Sequence, residues 1–350
     1  MKKLWILLMI SVLVLAACKT SGSPGGSGGG NGDKDKKSLT MVWYPNESGK
    51  ELKGAREEIG KIIEEETGKK VKHKLTTDYT VAIETLTNNK ADLAFMGAEG
   101  YIQAKEKNKA IEPLVVASGP SGTTKDAKYN SWLATKPENM KDYETEKGKY
   151  SLDNIENKKM SFVSPSSTSG FLVPSTLIAN HFKKQDKYKD LKPKDLSEGG
   201  NLLKETMFGN THQGSAVNLL NGKADIAAFS DINVADYVEV DRGEANKPGT
   251  TYKVKEDAKA PFTQYKGEKF GIIKSTPVLN APIVGNSETL DKETMDKIKE
   301  KLTSKEISNN KAVFLPEDEE GSGLFEKTDK EQFVEVEDKW FDPIRNLSDE

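Results

Sequence analysis

Strand-like and helix-like segments alternate along this sequence from residue 39 onward, and this order constrains the fold more than any other feature. In residues 51–66 apolar side chains recur every three or four positions, which is the pattern of one helical face. The segments at residues 39–44, which are mostly apolar, and at residues 71–76 flank this helix and are predicted to be strands. A repeated strand–helix order is typical of an α/β protein whose sheet is mostly parallel and covered by helices on both faces.

The predicted elements fall into two series, which a polar, lysine-rich stretch at residues 121–157 separates. The first series has strands at residues 39–44, 71–76, 91–96 and 111–118, with helices at 51–66, 79–88 and 101–107. The second has strands at 160–163, 205–208, 224–229 and 270–274, with helices at 171–182 and 214–220. Further helices are predicted at 287–302 and 329–340. Two series of this kind predict two lobes.

An internal similarity supports this division. Ala91-Asp92-Leu93-Ala94 follows a predicted helix end and a turn, and Ala224-Asp225-Ile226-Ala227 follows another. Chance similarity between two helix–turn–strand units is the alternative, because such turns share their chemistry. A pseudo-repeat relating the two lobes is the favoured interpretation.

The N-terminus has the features of a processing signal. Lys2-Lys3 is followed by an apolar stretch over residues 4–17 that is short for a membrane span, and then by Cys18. This arrangement closely resembles the lipobox of bacterial lipoproteins, and an ordinary secretory signal with a chance cysteine is the alternative. We therefore predict a signal peptide over residues 1–17 and lipid attachment at Cys18. Residues 18–38 are predicted to be the lipid anchor and a flexible tether.

Polar residues at six strand-to-helix turns are candidates for a binding site, because ligands of open α/β sheets bind beyond the carboxyl ends of the strands. None of these turns contains Lys or Arg. Hydrogen-bond recognition of a small, highly oxygenated ligand between two lobes fits this composition. The candidates are Tyr44, residues 77–79, residues 97–101, residues 166–170, residues 209–212, and Ser230-Asp231.

The hydroxyl-rich turn Ser166-Ser167-Thr168-Ser169-Gly170 is the most specific of these. Pro174 soon after it places the start of a helix at the turn, since proline is tolerated only in the first helical turn. Unpaired N–H groups at a helix start, together with hydroxyl donors, form an anion cradle. An ordinary Ser/Thr N-cap is the alternative for this turn.

The other candidates also have alternatives. Tyr79 and Tyr101 could be packing aromatics with solvated hydroxyls. His212 opens a predicted helix, whose N-terminus disfavours imidazolium, so we expect a neutral ring that is either a ligand contact or a plain cap. Asp231 ends an apolar strand and is either a helix N-cap or a ligand contact.

Together these motifs resemble the PhnD-type phosphate, phosphite and phosphonate substrate-binding proteins of ABC importers. The resemblance covers approximately residues 41–284. It rests on the signal and lipobox, on Tyr79 before residues 81–86, on Gly97 to Tyr101, on Ser167-Thr168-Ser169-Gly170, and on residues 211–215 and 221–225.

The resemblance implies a two-lobed α/β fold of the periplasmic-binding-protein-like type II class. Each lobe is a mixed, mostly parallel sheet flanked by helices, and the ligand lies in the cleft between the lobes. We predict lobe 1 at residues 39–133 plus 278–350 and lobe 2 at residues 134–277. The family's ligand contacts fall on Tyr79, Tyr101, Ser167, Thr168, Ser169 and His212, with an acidic contact at Asp231; the turn analysis adds Tyr44.

The function implied is that of an extracytoplasmic solute-binding lipoprotein on the outer face of the cytoplasmic membrane. It would bind a phosphonate, phosphite or phosphate, deliver it to a permease with its ATPase, and act as a monomer without cofactor. A departure from the family at Asn280-Ala281-Pro282, where aminophosphonate binders have Asn-Asp-Pro, favours a ligand without an amine. The alternatives are a protein of the same fold with another small ligand and a surface adhesin or antigen.

Other classes of function fit the sequence poorly. A net charge of −3 argues against a nucleic-acid groove, which needs a basic surplus. Three His at unrelated spacings and a single Cys make no metal motif. Ser169, His212 and Asp231 could nominally form a catalytic triad, but no Gly-x-Ser-x-Gly motif surrounds a serine near the predicted cleft, so we do not expect an enzyme.

Overall fold

The computed structural model describes residues 36–348. The predicted signal peptide, Cys18 and most of the predicted tether lie outside the described residues. The strands are β1 (Ser38–Trp43), β2 (Lys70–Leu75), β3 (Leu93–Phe95), β4 (Ile111–Ala117), β5 (Lys128–Thr135), β6 (Glu144–Glu146), β7 (Lys149–Tyr150), β8 (Lys159–Phe162), β9 (Glu205–Phe208), β10 (Ile226–Ser230), β11 (Val238–Arg242), β12 (Thr251–Val254), β13 (Lys269–Leu279), β14 (Pro282–Asn286), β15 (Phe314–Pro316), β16 (Phe325–Lys327) and β17 (Phe333–Glu335).

The α-helices flank the sheets, and short 3₁₀ turns connect many of the elements. They are α1 (Lys53–Thr67), α2 (Tyr79–Thr87), α3 (Ala98–Lys107), α4 (Val173–Phe182), α5 (His212–Leu220), α6 (Lys292–Leu302), α7 (Lys305–Ser308) and α8 (Asp342–Ser348). A π-helical turn, Thr168–Leu172, leads directly into α4, so the helical backbone begins at the hydroxyl-rich turn as Pro174 predicts.

The first large sheet has the strand order β17-β4-β14-β3-β1-β2, and we call it, with its helices, the first lobe. β1 pairs in parallel with β2 and β3, while β14 runs antiparallel between β3 and β4. Alternate side chains of β1 enter opposite cores: Trp43 packs in the cluster with Ile59 of α1, and Val42 packs with Leu86 of α2. Both faces are covered, which explains why the consecutive residues Met41, Val42 and Trp43 of β1 are all apolar and buried.

The second large sheet has the order β11-β12-β13-β5-β10-β8-β9 and forms the second lobe. β8, β9 and β10 are parallel, and β5 lies antiparallel to both β10 and β13. Phe182 of α4 packs on one face of this sheet and Leu219 of α5 on the other. The predicted α/β class with two mixed sheets is therefore confirmed.

The repeated Ala-Asp-(Leu/Ile)-Ala turns have the same hydrogen bonds in the two lobes. Asp92 accepts the Thr40 N–H through Oδ2 at 2.7 Å and donates its own N–H to the Thr40 carbonyl at 2.8 Å. Asp225 does the same with Lys159, at 2.8 Å and 2.9 Å. Each aspartate thus fixes its strand beside a parallel neighbour, as the pseudo-repeat interpretation requires.

The chain passes between the two sheets twice. The first passage runs from the end of β4 at Ala117 to the start of β5 at Lys128, and the second joins Leu279 of β13 to Pro282 of β14. The predicted boundary between residues 133 and 134 falls inside β5, and the lobe boundaries remain a prediction.

Two segments differ from the sequence prediction. The polar stretch at residues 121–157 contains β5, which is a central strand of the second sheet and has both neighbours paired. The helix predicted at residues 329–340 is wrong: the Glu331 carboxylate accepts bonds from Thr328 and Asp329, and β17 then pairs with the edge of β4. Pairing with β17 satisfies backbone N–H and C=O groups at the edge of β4, which would stay unpaired if residues 333–335 formed a short, largely polar helix.

Candidate functional site

The hydroxyl-rich turn lies between β8 and α4 and is buried. Ser167, Thr168 and Ser169 are each at most 2% exposed. The Ser167 Oγ accepts the Gly170 N–H at 3.1 Å, so this serine does cap the helical turn. A Cβ at residue 170 would lie 2.3 Å from Val163 Cγ2, which is why glycine stands there. The capping interpretation and a ligand-binding role are compatible at this turn.

Two of the three hydroxyls are held by groups outside the turn. Thr168 Oγ1 accepts the backbone N–H of Glu99, at the start of α3 in the first lobe, at 2.9 Å. Ser169 Oγ accepts the Tyr129 hydroxyl at 3.0 Å, and the Ser131 Oγ donates to the Ser169 carbonyl at 2.6 Å. Because both Thr168 and Ser169 accept through oxygen, each keeps its own hydroxyl proton for donation.

Two tyrosines of the first lobe, Tyr44 and Tyr79, pack with ring centroids 4.2 Å apart and ring planes tilted by 48°. The Tyr79 hydroxyl accepts the Asn46 amide at 2.6 Å, and a hydrogen bond from the Ser167 side chain links it to the turn, while burial raises its pKa. The Tyr44 hydroxyl is buried, and among the described residues it has no hydrogen-bond partner. Burial also raises the pKa of Tyr44, so both phenols stay protonated donors.

His212 is the first residue of α5 and is 4% exposed. Its backbone N–H donates to Asn46 Oδ1 at 3.3 Å, across the two lobes, and its Nδ1 accepts the Ser230 N–H at 3.0 Å. Burial lowers the pKa of His212 to about 3, so the ring is neutral. Since Nδ1 is an acceptor, the hydrogen-bond network assigns the proton to Nε2, which leaves an N–H donor.

Asp231 lies just beyond β10 and is held by its neighbours. Its Oδ1 accepts the N–H groups of Asn130 at 2.9 Å and Ile232 at 2.8 Å, and its Oδ2 accepts the Asn130 amide at 2.8 Å. Burial raises the pKa of this carboxyl and outweighs those bonds, which lower it. Each oxygen of a carboxylate has two lone pairs, so Oδ2 keeps one for a further donor.

Tyr101 packs in the same apolar cluster as Tyr44 and Tyr79, but its hydroxyl bonds to a residue outside the group of predicted contacts. Its hydroxyl donates to the carboxylate of Asp338, which also accepts a bond from Arg345 at 2.8 Å. Its ring packs on Phe341 at 4.9 Å. These contacts fit a packing aromatic. A ligand contact at Tyr101 stays a prediction.

Ala281, the middle residue of Asn280-Ala281-Pro282, packs against the Trp43 cluster of the first lobe. Its neighbour Asn280 donates an amide N–H to the Ala117 carbonyl at 2.8 Å. Within residues 36–348 no cluster of three His, Cys, Asp or Glu side chains could hold a metal ion.

Sequence analysis missed several residues of the site. Asn46 and Glu47 follow Tyr44 in a 3₁₀ turn at the carboxyl end of β1, and this position was a signal that could have found them. Tyr129 and Asn130 belong to β5, which was hidden in the polar stretch. Burial raises the pKa of the Glu47 carboxyl to about 8, against the opposing effects of hydrogen bonds and the Arg56 charge.

Hydrogen bonds join the two lobes on one side of this group. Ser166 Oγ donates to Gln103 Oε1 at 2.8 Å, and Gln103 Nε2 donates to Glu99 Oε1 at 2.8 Å. With the bond from Glu99 N–H to Thr168, they connect α3 to the hydroxyl-rich turn. The donors of the site are hydroxyl, imidazole and backbone N–H groups, so its attraction for anions comes from oriented dipoles.

Comparisons with known proteins agree with this architecture. The sequence model of the family described as "ABC transporter, phosphonate, periplasmic substrate-binding protein" matches residues 41–341. The phosphate-import protein PhnD of Mycolicibacterium smegmatis is 27% identical over 238 residues, which cover 68% of this chain and 67% of that protein.

Two crystal structures have the same fold. A binding protein component of an ABC phosphonate transporter from Pseudomonas aeruginosa matches with a TM-score of 0.61 and 18% identity, over 89% of this chain and 86% of that chain. PhnD1 from Prochlorococcus marinus, in complex with methylphosphonate, matches with a TM-score of 0.60 and 14% identity, over 89% of this chain and 97% of that chain.

Proposed function

The chain belongs to the family of periplasmic substrate-binding proteins of phosphonate ABC transporters, and from this premise we propose that it is the receptor of an importer for a small phosphorus oxyanion. The ligand is a phosphonate, phosphite or phosphate bound between the two lobes. The relative from M. smegmatis is a phosphate-import protein, and PhnD1 was crystallised with methylphosphonate. Both names support this ligand class.

The observation that carries the proposal is the group of neutral donors between the lobes. Ser169 and Thr168 keep hydroxyl protons, and His212 keeps its Nε2 proton, because their acceptor atoms are already used. Each donor contributes about 1.5–3 kcal/mol to an ionised acceptor. Fixed donors of this kind bind an oxyanion without the desolvation of a buried Lys or Arg.

Asp231 would make the site selective for phosphorus oxyanions over sulfate. A singly protonated phosphorus oxyanion can donate its proton to the remaining lone pair on Oδ2. Sulfate has no such proton at neutral pH, so it would place an oxyanion against an unpaired carboxylate oxygen. The site would thereby reject sulfate by repulsion.

A receptor fits the geometry better than a hydrolase. Ser169 bonds to Tyr129, His212 bonds to the Ser230 backbone, and Asp231 bonds to Asn130, so the three side chains make no triad with one another. Serine activation requires a direct hydrogen bond to the base, and a third group that orients the base.

The remaining parts of the proposal concern the membrane. We propose lipid attachment at Cys18, location on the outer face of the cytoplasmic membrane, and delivery of the ligand as a monomer to a permease and its ATPase. None of the helices in residues 36–348 is long and apolar enough to cross a bilayer. The lipobox resemblance of residues 15–18 supports the anchor.

Isothermal titration tests the proposed ligand class. Purified protein lacking residues 1–18 is titrated with phosphite, phosphate, methylphosphonate, 2-aminoethylphosphonate and sulfate. Saturable binding of at least one phosphorus oxyanion and weak or absent binding of sulfate are expected. Binding of none of them would reject the oxyanion, and turnover of p-nitrophenyl phosphate would reject the receptor.

A further inference from the structure

The Glu47 side chain has no role in the recognition of the oxyanion proposed above. It ends the 3₁₀ turn Pro45–Glu47, directly after β1, and its N–H donates to the Tyr44 carbonyl at 3.2 Å. The preceding residue, Asn46, bonds to both Tyr79 and His212. The backbone therefore places Glu47 next to two residues of the site.

Amide groups from both lobes reach the Glu47 carboxyl. Side-chain hydrogen bonds link it to Asn46 in the first lobe and to Asn233 in the second. The Asn233 Oδ1 accepts the Ser230 hydroxyl at 2.6 Å, which orients the amide so that its NH₂ group is left to donate. Amide donors thus reach the carboxyl from both lobes, and a protonated carboxyl keeps acceptor sites for them while its O–H can donate.

No cation neutralises this carboxyl within residues 36–348. The Arg56 charge acts on the carboxyl, but the Arg56 Nη1 donates to the backbone carbonyls of Glu47 and, at 2.8 Å, of Gly49. The titratable groups facing Glu47 from the neighbouring elements are the phenols Tyr44, Tyr79 and Tyr129, whose own pKa values burial raises. They are uncharged at neutral pH, so Glu47 gains nothing from ionising beside them.

We propose that Glu47 is a specificity-determining residue, a neutral carboxylic acid that donates its proton to an oxygen of the bound anion and so favours oxyanions without a cationic substituent. This inference rests on the proposed receptor function and deepens it. Burial raises the pKa of Glu47 to about 8, in agreement with a protonated group at pH 7. A bound anion raises that pKa further, because it disfavours a second negative charge.

The proposal has a consequence for pH dependence. Above its pKa Glu47 ionises and repels the ligand, so affinity falls as pH rises. Between pH 7 and pH 9 the neutral fraction of a group with a pKa near 8 drops about tenfold. Gln has the same shape and keeps an N–H donor, but it does not titrate.

The test compares titrations of methylphosphonate into wild-type protein and Glu47→Gln at pH 7 and pH 9. The ratio of Kd at pH 9 to Kd at pH 7 should be about tenfold larger for the wild type than for the variant. Ionisation of the ligand and of Asp231 is common to both proteins and cancels. Glu57→Gln is the matched control: this glutamate on α1 is exposed, with Lys53 3.4 Å away, and its variant should keep the wild-type ratio.

A second variant tests the inference even if the Glu47→Gln protein does not fold. The Asn233 hydrogen bond lowers the pKa of Glu47, so Asn233→Ala should move the fall in affinity to higher pH. Thermal melts verify that each variant is folded.

Three results would overturn the inference. Equal Kd ratios in wild type and Glu47→Gln would show that Glu47 does not titrate in the site. Tighter binding of 2-aminoethylphosphonate than of methylphosphonate, lost in Glu47→Gln, would make Glu47 an ionised counter-ion. If the wild type binds no oxyanion at all, the proposed function fails as well, and this outcome is distinct from the first two.

Discussion

The Tyr129 hydroxyl donates a 3.0 Å hydrogen bond to Ser169 Oγ, and this bond joins a central strand of the second sheet to the turn before α4. Because Ser169 accepts through its oxygen, its own proton remains for a ligand. The bond thus fixes both the position and the donor direction of one hydroxyl in the cleft.

Ser169→Ala removes that donor and should weaken binding of the oxyanion by about 1–3 kcal/mol, a five- to 150-fold increase in Kd. Isothermal titration against the best ligand measures the change. The matched control is Thr145→Ala, which removes an exposed hydroxyl of β6 and should leave Kd unchanged. Equal Kd values for wild type and Ser169→Ala would place the ligand elsewhere.

Gly100→Ala should distort the first-lobe side of the site. A Cβ at residue 100 would lie 1.6 Å from the Tyr44 hydroxyl, so the buried ring must move, at a cost of about 1–3 kcal/mol in the free energy of unfolding. Gly54→Ala in α1 is the control, since nothing lies within 4 Å of its Cβ position. Urea unfolding should show Gly54→Ala as neutral or stabilising by up to about 1 kcal/mol. A neutral Gly100→Ala would contradict the tight packing of Tyr44.

His212 should make the protein less stable in acid. Burial lowers its pKa to about 3 in the folded state, whereas an unfolded histidine titrates near 6.5. The unfolded chain therefore binds an extra proton below about pH 6.5, and stability is lost as pH falls toward 3. His212→Gln should reduce the slope of unfolding free energy against pH by up to about 1.4 kcal/mol per unit in this window. Parallel slopes for the two proteins would argue against a buried neutral ring.

Asp231→Asn should relax the discrimination against sulfate. The amide no longer repels an oxyanion that lacks a proton, so the ratio of sulfate Kd to phosphite Kd should fall roughly fivefold or more. Titration of both anions into wild type and variant measures that ratio. A wild-type protein that binds sulfate and phosphite equally would refute the role assigned to Asp231.

The sequence was most informative where a pattern is local. The helical face of α1 ends at Thr67-Gly68, and Gly68 has a φ of 68°, the left-handed conformation that glycine adopts at a helix end. The serine turn and the two Ala-Asp turns could also be recognised in the sequence, because each depends on neighbouring residues. A neutral His212 was expected from its place at a helix start, whereas the structure gives burial of the ring as the cause of its low pKa.

What the sequence did not show depends on long-range partners. Tyr101 bonds to Asp338, which lies 237 residues away in the chain. β5 carries small polar residues such as Ser131, which is buried because its hydroxyl bonds to Ser169. Glu47 follows Tyr44 at the carboxyl end of β1, but its hydrogen bond with Asn233 of the second lobe could not be predicted from the sequence.

A crystal structure with bound phosphite or methylphosphonate tests the central claim most directly. The account predicts phosphorus oxygens between the lobes, within hydrogen-bonding distance of Ser169 Oγ and His212 Nε2, at about 2.6–3.2 Å. A ligand bound outside this group of residues, with both donors facing water, would contradict it.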